Sequence, residues 1–233
     1  MWRMSDVLAC VEEGVARLDA ALLDEQAVHG IDALTEVALH PVLAESLSAG
    51  GFGVLREVVY PGEHALPVRR SARARCDLVL LPEPGQTLED PAEEQAELLG
   101  GESTLFAGLA HRMGSTTDRV RSADACWLEV KSVAQLAYVD GVPVPNRAYT
   151  DQLVKGPMAD LVKLARDPSI WSGASVVLLF CRIEEVGRHD LSQLAHRLLD
   201  QELPIGTPEI GGVPIEDRVG NAWCGVGVFP VRA

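Results

Sequence analysis

Lysine is scarce in this chain of 233 residues: of its 20 basic residues only Lys131, Lys155 and Lys163 are lysines, the rest being arginines. Acidic residues number 34, which sets the formal net charge at −14. A body so acidic repels a polyanion through its overall field, so a protein that coats nucleic acid nonspecifically is excluded. Any contact with nucleic acid must come from a local basic patch or through a partner protein. Aromatic residues make up only 5% of the chain and do not interleave with the arginines, so no platform for stacking unpaired bases is visible. No apolar run approaches the roughly 20 residues of a membrane span; the longest, Ser175 to Cys181, suits a buried strand. The start, Met-Trp-Arg-Met-Ser-Asp, leads into an amphipathic pattern instead of an apolar signal core, so the expectation is a cytoplasmic protein without membrane contact. Cys10, Cys76, Cys126, Cys181 and Cys224 are odd in number and far apart, which argues against a disulfide framework or a zinc site and for buried thiols. The six histidines show no metal-ligand spacing and no partner for a serine or cysteine nucleophile.

What is present reads as a single α/β domain over 1–233, with a central mixed sheet flanked by helices on both faces. Val7, Val11, Val15, Leu18 and Leu22 recur at helical spacing within an N-terminal helix over 5–27, with Ser5 available as its N-cap. Residues 31–48 carry a second helical pattern that Pro41 should kink, and Gly50-Gly51-Phe52-Gly53 closes it as a C-cap and turn. Strand candidates are Val54 to Tyr60, Cys76 to Leu81, Cys126 to Val133, Ser175 to Ile183 and Trp223 to Val231. Helices are expected over Thr150 to Arg166 and Asp190 to Glu202. The stretch Pro82 to Ala125, with its acidic run Glu89 to Glu97, reads as a surface excursion with one short helix, and Pro204 to Pro214 as an exposed connection.

Two fragments carry chemistry. In Trp127-Leu128-Glu129-Val130-Lys131-Ser132, strand alternation places Glu129 and Lys131 on one face and Leu128 and Val130 on the other. In a chain so poor in lysine, one within a strand is not filler. In Arg75-Cys76-Asp77-Leu78-Val79-Leu80-Leu81, a lone carboxylate opens an apolar strand, and burying it is costly unless a cation or donors compensate. If the two strands are neighbours, Asp77 and Glu129 can approach one hard divalent cation, with the Val130 carbonyl as a further oxygen ligand.

An acidic residue early in one strand, then Glu-x-Lys in the next, after a helix bearing a glutamate, resembles the PD-(D/E)XK nuclease superfamily. The element order over about 31–183 is similar to that superfamily's restriction-endonuclease-like core, with 82–125 as an insertion and a C-terminal helix and strand over 189–231. The resemblance implies a metal-dependent nuclease that hydrolyses phosphodiester bonds, DNA being the expected substrate, in restriction, repair or defence. It implies that Asp77 and Glu129 hold Mg2+ (or Mn2+) and that Lys131 orients or helps deprotonate the attacking water. Glu36 takes the place of a supporting glutamate, with Glu45 as the competing choice. Gln152 matches a glutamine some members place near the site, with Tyr149 grouped beside it; the tyrosine seen four residues later in one exonuclease-like branch is Gly156 here. The residue before the aspartate is Cys76 instead of the proline of the motif.

For nucleic-acid contact the candidates are Arg69, Arg70, Arg73 and Arg75, extended by Arg112, Arg119 and Arg121; Arg75 either holds a phosphate near the metal or neutralises Asp77. Plain alternatives stand beside these readings. Glu129 and Lys131 can be a same-face surface ion pair, Glu36 and Gln152 exposed helix residues, and the arginines a solvated loop. The acidic surface also suits a noncatalytic module of the same fold that binds protein or DNA within a larger assembly. The N-terminal helix could pair two subunits, although core packing explains it equally well.

Overall fold

The computed structural model describes residues 2–65, 73–90, 118–139 and 142–232. Among them are four α-helices: α1 (Met4–Asp24), α2 (Glu36–Ala49), α3 (Tyr149–Arg166) and α4 (Glu184–Asp200). Six strands form the main sheet: β1 (Gly53–Val59), β2 (Arg75–Leu81), β5 (Cys126–Ala134), β8 (Ser172–Cys181), β9 (Glu209–Pro214) and β10 (Trp223–Arg232). Two small pairs stand apart, β3 (Thr87–Leu88) with β4 (Arg119–Val120) and β6 (Leu136–Val139) with β7 (Val142–Pro145).

The main sheet runs β1-β2-β5-β8-β10-β9. Its one parallel pair is β5 with β8, bridged by α3, as a parallel pair needs a long crossover; the other four neighbour pairs are antiparallel. The expected mixed sheet with helices on both faces is therefore observed. On β8, Val176 and Leu178 pack under α1 and α2 with Val11, Leu39 and Leu43. The alternate residues Val177 and Leu179 pack under α3 and α4 with Leu161, Leu191 and Leu194. A third cluster, Tyr60, Cys76, Val79, Leu81, Trp127 and Leu164, extends the α3 side toward β1. All five cysteines are buried and unpaired.

Several boundaries differ from the sequence reading. Arg3, not Ser5, is the N-cap of α1, and the Ser5 hydroxyl meets only Asp6. The helix expected over 31–48 is a short 3-10 turn, Ile31–Ala33, then extended residues at Leu34 and Thr35, then α2. Thr35 caps α2 by accepting from the Ala38 amide at 3.3 Å, which outcompetes a continuous helix because it satisfies an orphan donor. The helix runs through Pro41. Helix α4 starts six residues earlier than expected; Gly187, which reads as a breaker, lies where an added Cβ would meet Cys181 Sγ at 3.0 Å and Trp223 at 3.1 Å. The stretch 204–214, expected as an open connection, contains edge strand β9. Its glycines mask it, and Gly212 has φ +152 with its amide donating to Glu12 of α1 at 2.6 Å. Of the 82–125 excursion, in which one short helix was expected, residues 91–117 lie outside the described residues.

Helix α1 packs closely on α2. Ser46 Oγ donates to the Cys10 carbonyl at 2.5 Å, and a Cβ on Gly14 would stand 2.9 Å from Ser46 Cβ. Gly14→Leu is therefore expected to force the helices apart and destabilise the fold by about 1–3 kcal/mol, read from the urea midpoint. A loss below about 0.5 kcal/mol would mean that this crossing is not tight.

Candidate active site

The site is built where two regular strands stop being regular. The β1–β2 register runs from Gly53↔Leu81 to Arg56↔Leu78 and resumes at Val58↔Cys76, skipping Glu57 and Asp77. Glu57 has φ +54, a left-handed conformation unusual for a residue with a Cβ. Alternation slips there on both strands: Leu55 and Val58 lie on the same face, as do Cys76 and Val79. One extra residue in each strand makes a paired bulge that keeps the register but re-aims the two carboxylates. Both come to His40 of α2: Glu57 Oε1 is 3.4 Å from Nδ1 and Asp77 Oδ2 is 3.9 Å from Nε2.

Strand β2 also parts from β5. Their pairing covers Leu80↔Cys126, Val79↔Trp127 and Leu78↔Leu128, and beyond it the β5 edge is answered by side chains. The Val130 amide donates to Asp77 Oδ2 at 2.8 Å and the Ser132 amide to Glu36 Oε2 at 3.3 Å. Two carboxylates thus take the place of a missing strand. Cys76 donates from Sγ to the Leu128 carbonyl at 3.2 Å.

Lys131 extends into this notch between α2 and α3. Its Nζ lies 3.1 Å from Glu36 Oε1, 3.2 Å from Asp160 Oδ2 and 2.9 Å from the Val130 carbonyl. Burial works against its charged form, but the carboxylates of Asp160 and Glu36 outweigh it and hold the amine above the ordinary lysine range. Gly156 lets α3 approach, since a Cβ there would sit 3.2 Å from Lys131 Cδ.

Glu129 occupies the α3 side of β5. Only 2% exposed, it accepts through Oε1 from the Tyr60 hydroxyl and from Lys163 Nζ at 2.6 Å. Burial raises its carboxyl above the usual range, while Lys163 and Tyr60 pull it back. Beside it opens a cavity of ≈ 450 Å³ lined by Tyr60, Gly62, Ala74, Lys163, Arg166 and Asp167.

The structure brings Asp77, Lys131 and Glu36 together, and among the described residues the group able to hold one ion is Glu36, His40 and Asp77, with one ligand atom from each within 4.8 Å of the others. Glu129 is not in that group; it shares the α3 face of β5 with Lys131, and its Oε1 accepts from Tyr60 and Lys163. The Val130 carbonyl, expected to face an ion, accepts from Lys131. Gln152 is exposed and accepts from Asn146 at 2.8 Å, and Tyr149 donates to Asp190 at 2.6 Å; neither hydrogen bond involves a residue of the notch. Glu45, the alternative to Glu36, is exposed and pairs with Arg17.

Of the arginines, Arg69, Arg70 and Arg112 lie outside the described residues. Arg75 donates to the Glu57 carbonyl at 2.6 Å, bracing the bulge instead of pairing with Asp77. The Arg73 Nε is buried without a hydrogen-bond partner, and Arg121 pairs with Asp124.

Sequence reasoning missed His40, Glu57, Tyr60, Asp160 and Lys163. Two signals were available: His40 stands four residues after Glu36, hence on the same helical face, and Lys163 is another of the three lysines. No family model, curated protein or solved structure matches the chain.

Burial first, then the charge of Glu129, pushes the Asp160 carboxyl up from 3.8 to about 6. A carboxyl raised on folding binds more protons folded than unfolded between those two values, so its contribution to stability is greatest at low pH and is lost as pH rises from about 4 to 6. Asp160→Asn is expected to flatten the stability profile in that window by roughly 2–3 kcal/mol. Urea melts at pH 4 and pH 6.5 check this; an unchanged slope would refute it.

Proposed function

We propose that this chain is a divalent-metal-dependent phosphodiesterase acting on nucleic acid, DNA being the expected substrate, on a restriction-endonuclease-like core. The observation that carries this reading is the notch. Asp77 and Glu36 are fixed on the free amides of β5, Lys131 stands against Glu36, and the buried His40 is turned toward Asp77 and Glu57 with neither ring nitrogen hydrogen-bonded. Two carboxylate oxygens and an imidazole nitrogen that lacks a partner fit a divalent cation.

Glu36, His40 and Asp77 would hold it. There it would supply Lewis acidity toward a phosphoryl oxygen and relief of the charge that develops as the bond breaks. The chain's own groups do the rest. Amide hydrogen bonds fix the two carboxylates, so the binding geometry is set before substrate arrives. Lys131, held cationic near neutral pH by Glu36 and Asp160, places a positive charge beside the metal position; it stabilises and orients anionic oxygens and does not take up a proton. Lys163 and Arg166 line the adjoining cavity together with Glu63 and Asp167, so two cations are within reach of a phosphate backbone there, each beside a carboxylate.

The test incubates the protein with linear, circular and single-stranded DNA, and with RNA, in Mg2+, Mn2+ or EDTA. Metal-dependent cleavage abolished by EDTA and by Asp77→Ala supports the proposal. Equal inertness of wild type and variant on every substrate would hand the site to the noncatalytic binding module that a net charge of −14 also suits.

A further inference from the structure

The phosphodiesterase reading leaves His40 unexplained as a matter of packing. It is 1% exposed, between α2 and the bulge, yet neither ring nitrogen makes a hydrogen bond, although polar groups so deeply buried are almost always satisfied. Carboxylates flank the ring at both ends, Glu57 at Nδ1 and Asp77 at Nε2, at 3.4 and 3.9 Å. Glu57 reaches its place only through the left-handed backbone at φ +54. A residue with a Cβ held there costs about 1–3 kcal/mol, and such outliers cluster at ligand sites.

One arrangement accounts for all of this. A cation held at Nε2, on the side of Asp77, would leave Nδ1 to carry the ring proton on the side of Glu57. A lone pair facing a carboxylate is repulsive unless a cation stands between them. Glu57 then plays the part of the carboxylate that fixes tautomer and ring orientation behind a ligating histidine and raises its basicity. Glu36, four residues earlier on α2, supplies an oxygen from the same helical face, and its ligand atom lies within 4.8 Å of those of His40 and Asp77.

We infer that the notch is a mixed nitrogen and oxygen site for a first-row transition metal, Mn2+ through Zn2+, in preference to Mg2+ or Ca2+. Glu36, His40 and Asp77 are its ligands, and Glu57 is the positioning residue behind His40. Mg2+ favours oxygen ligands and releases its water reluctantly, so an imidazole contributes little to holding it. Imidazole raises affinity for the transition series in the order Mn2+, Fe2+, Co2+. The inference uses the metal site of the proposed function but not its chemistry, so it stands or falls separately from cleavage.

The experiment titrates Mn2+ into the full chain by electron paramagnetic resonance and Co2+ by its visible absorption, with no nucleic acid present. Mg2+ serves as competitor. The expected result is one Mn2+ bound per chain, a hundredfold excess of Mg2+ failing to displace half of it, and Co2+ bands that change in His40→Gln. His40→Gln should weaken Mn2+ binding by about 10–100-fold with Mg2+ affinity unchanged, and Glu57→Gly by about 10-fold. Glycine accepts φ +54 without strain, so Glu57→Gly keeps the bulge and reports on the carboxylate alone. Mg2+ displacing Mn2+ at equal concentration, or Mn2+ binding that survives His40→Gln, would overturn the inference. Selective binding without cleavage of any substrate would uphold it while removing the phosphodiesterase reading. Mg2+-supported cleavage with no preference for Mn2+ would do the reverse.

Discussion

Lys131→Ala is expected to lower metal-dependent DNA cleavage by about 10²–10³-fold, with the change in kcat and little in metal affinity. The expectation follows from its surroundings. Its Nζ is gripped by Glu36 at 3.1 Å and Asp160 at 3.2 Å, with the Val130 carbonyl at 2.9 Å, which fixes a full positive charge beside the proposed metal position. A preorganised charge aimed at a developing anion contributes this much because nothing has to reorganise when the reaction occurs. Lys155, exposed and paired with Asp151 on the outer face of α3, is the matched control; Lys155→Ala should leave the rate within about twofold. Equal activity in the Lys131 and Lys155 variants would remove Lys131 from the mechanism.

The largest effect on stability is expected from Lys163→Met. Glu129 is almost fully enclosed, and its charge is answered by one hydroxyl, Tyr60, and one ammonium, Lys163. Removing one member of a buried pair strands the other and typically costs about 3–5 kcal/mol. The Lys163 side chain is 38% exposed, so water replaces part of its contribution, and about 2–3 kcal/mol is the expected loss. Lys163→Met combined with Glu129→Gln should recover more than half of that, because an amide has no charge to leave unpaired. Urea melts of the two single variants and the double variant form the cycle. A loss under about 0.5 kcal/mol, or a double variant no better than Lys163→Met, would show that Glu129 is not held as an ion.

The fold was legible wherever local chemistry agreed with the tertiary environment. Val7, Val11 and Val15 on α1 and the apolar runs of β5, β8 and β10 declared themselves by periodicity. Strand β9 and the first turns of α4 were hidden because Gly211, Gly212 and Gly187 serve close packing there, and glycine signals a turn whether or not one forms. At the site, Asp77 and Lys131 were legible because charge inside an apolar strand demands a partner, whereas Glu36, on a helix, was reached only through the resemblance to a known family. Glu129 was legible as a site residue but not in its role, since alternation says which face a side chain takes and not which groups wait there. His40 was missed for a different reason. Its spacing from Glu36 was the available signal, but the carboxylates that face it are aimed by a paired bulge, where one extra residue in β1 and one in β2 cancel in the register.

The account rests on one metal position between α2 and the parting of β2 from β5. Crystals of the protein soaked in Mn2+, with diffraction recorded on either side of the manganese edge, locate it directly. The account predicts one anomalous peak per chain, within about 2.0–2.4 Å of oxygens of Glu36 and Asp77 and of His40 Nε2. A peak held by Glu129, or none in the notch while the protein still cleaves DNA, would contradict it.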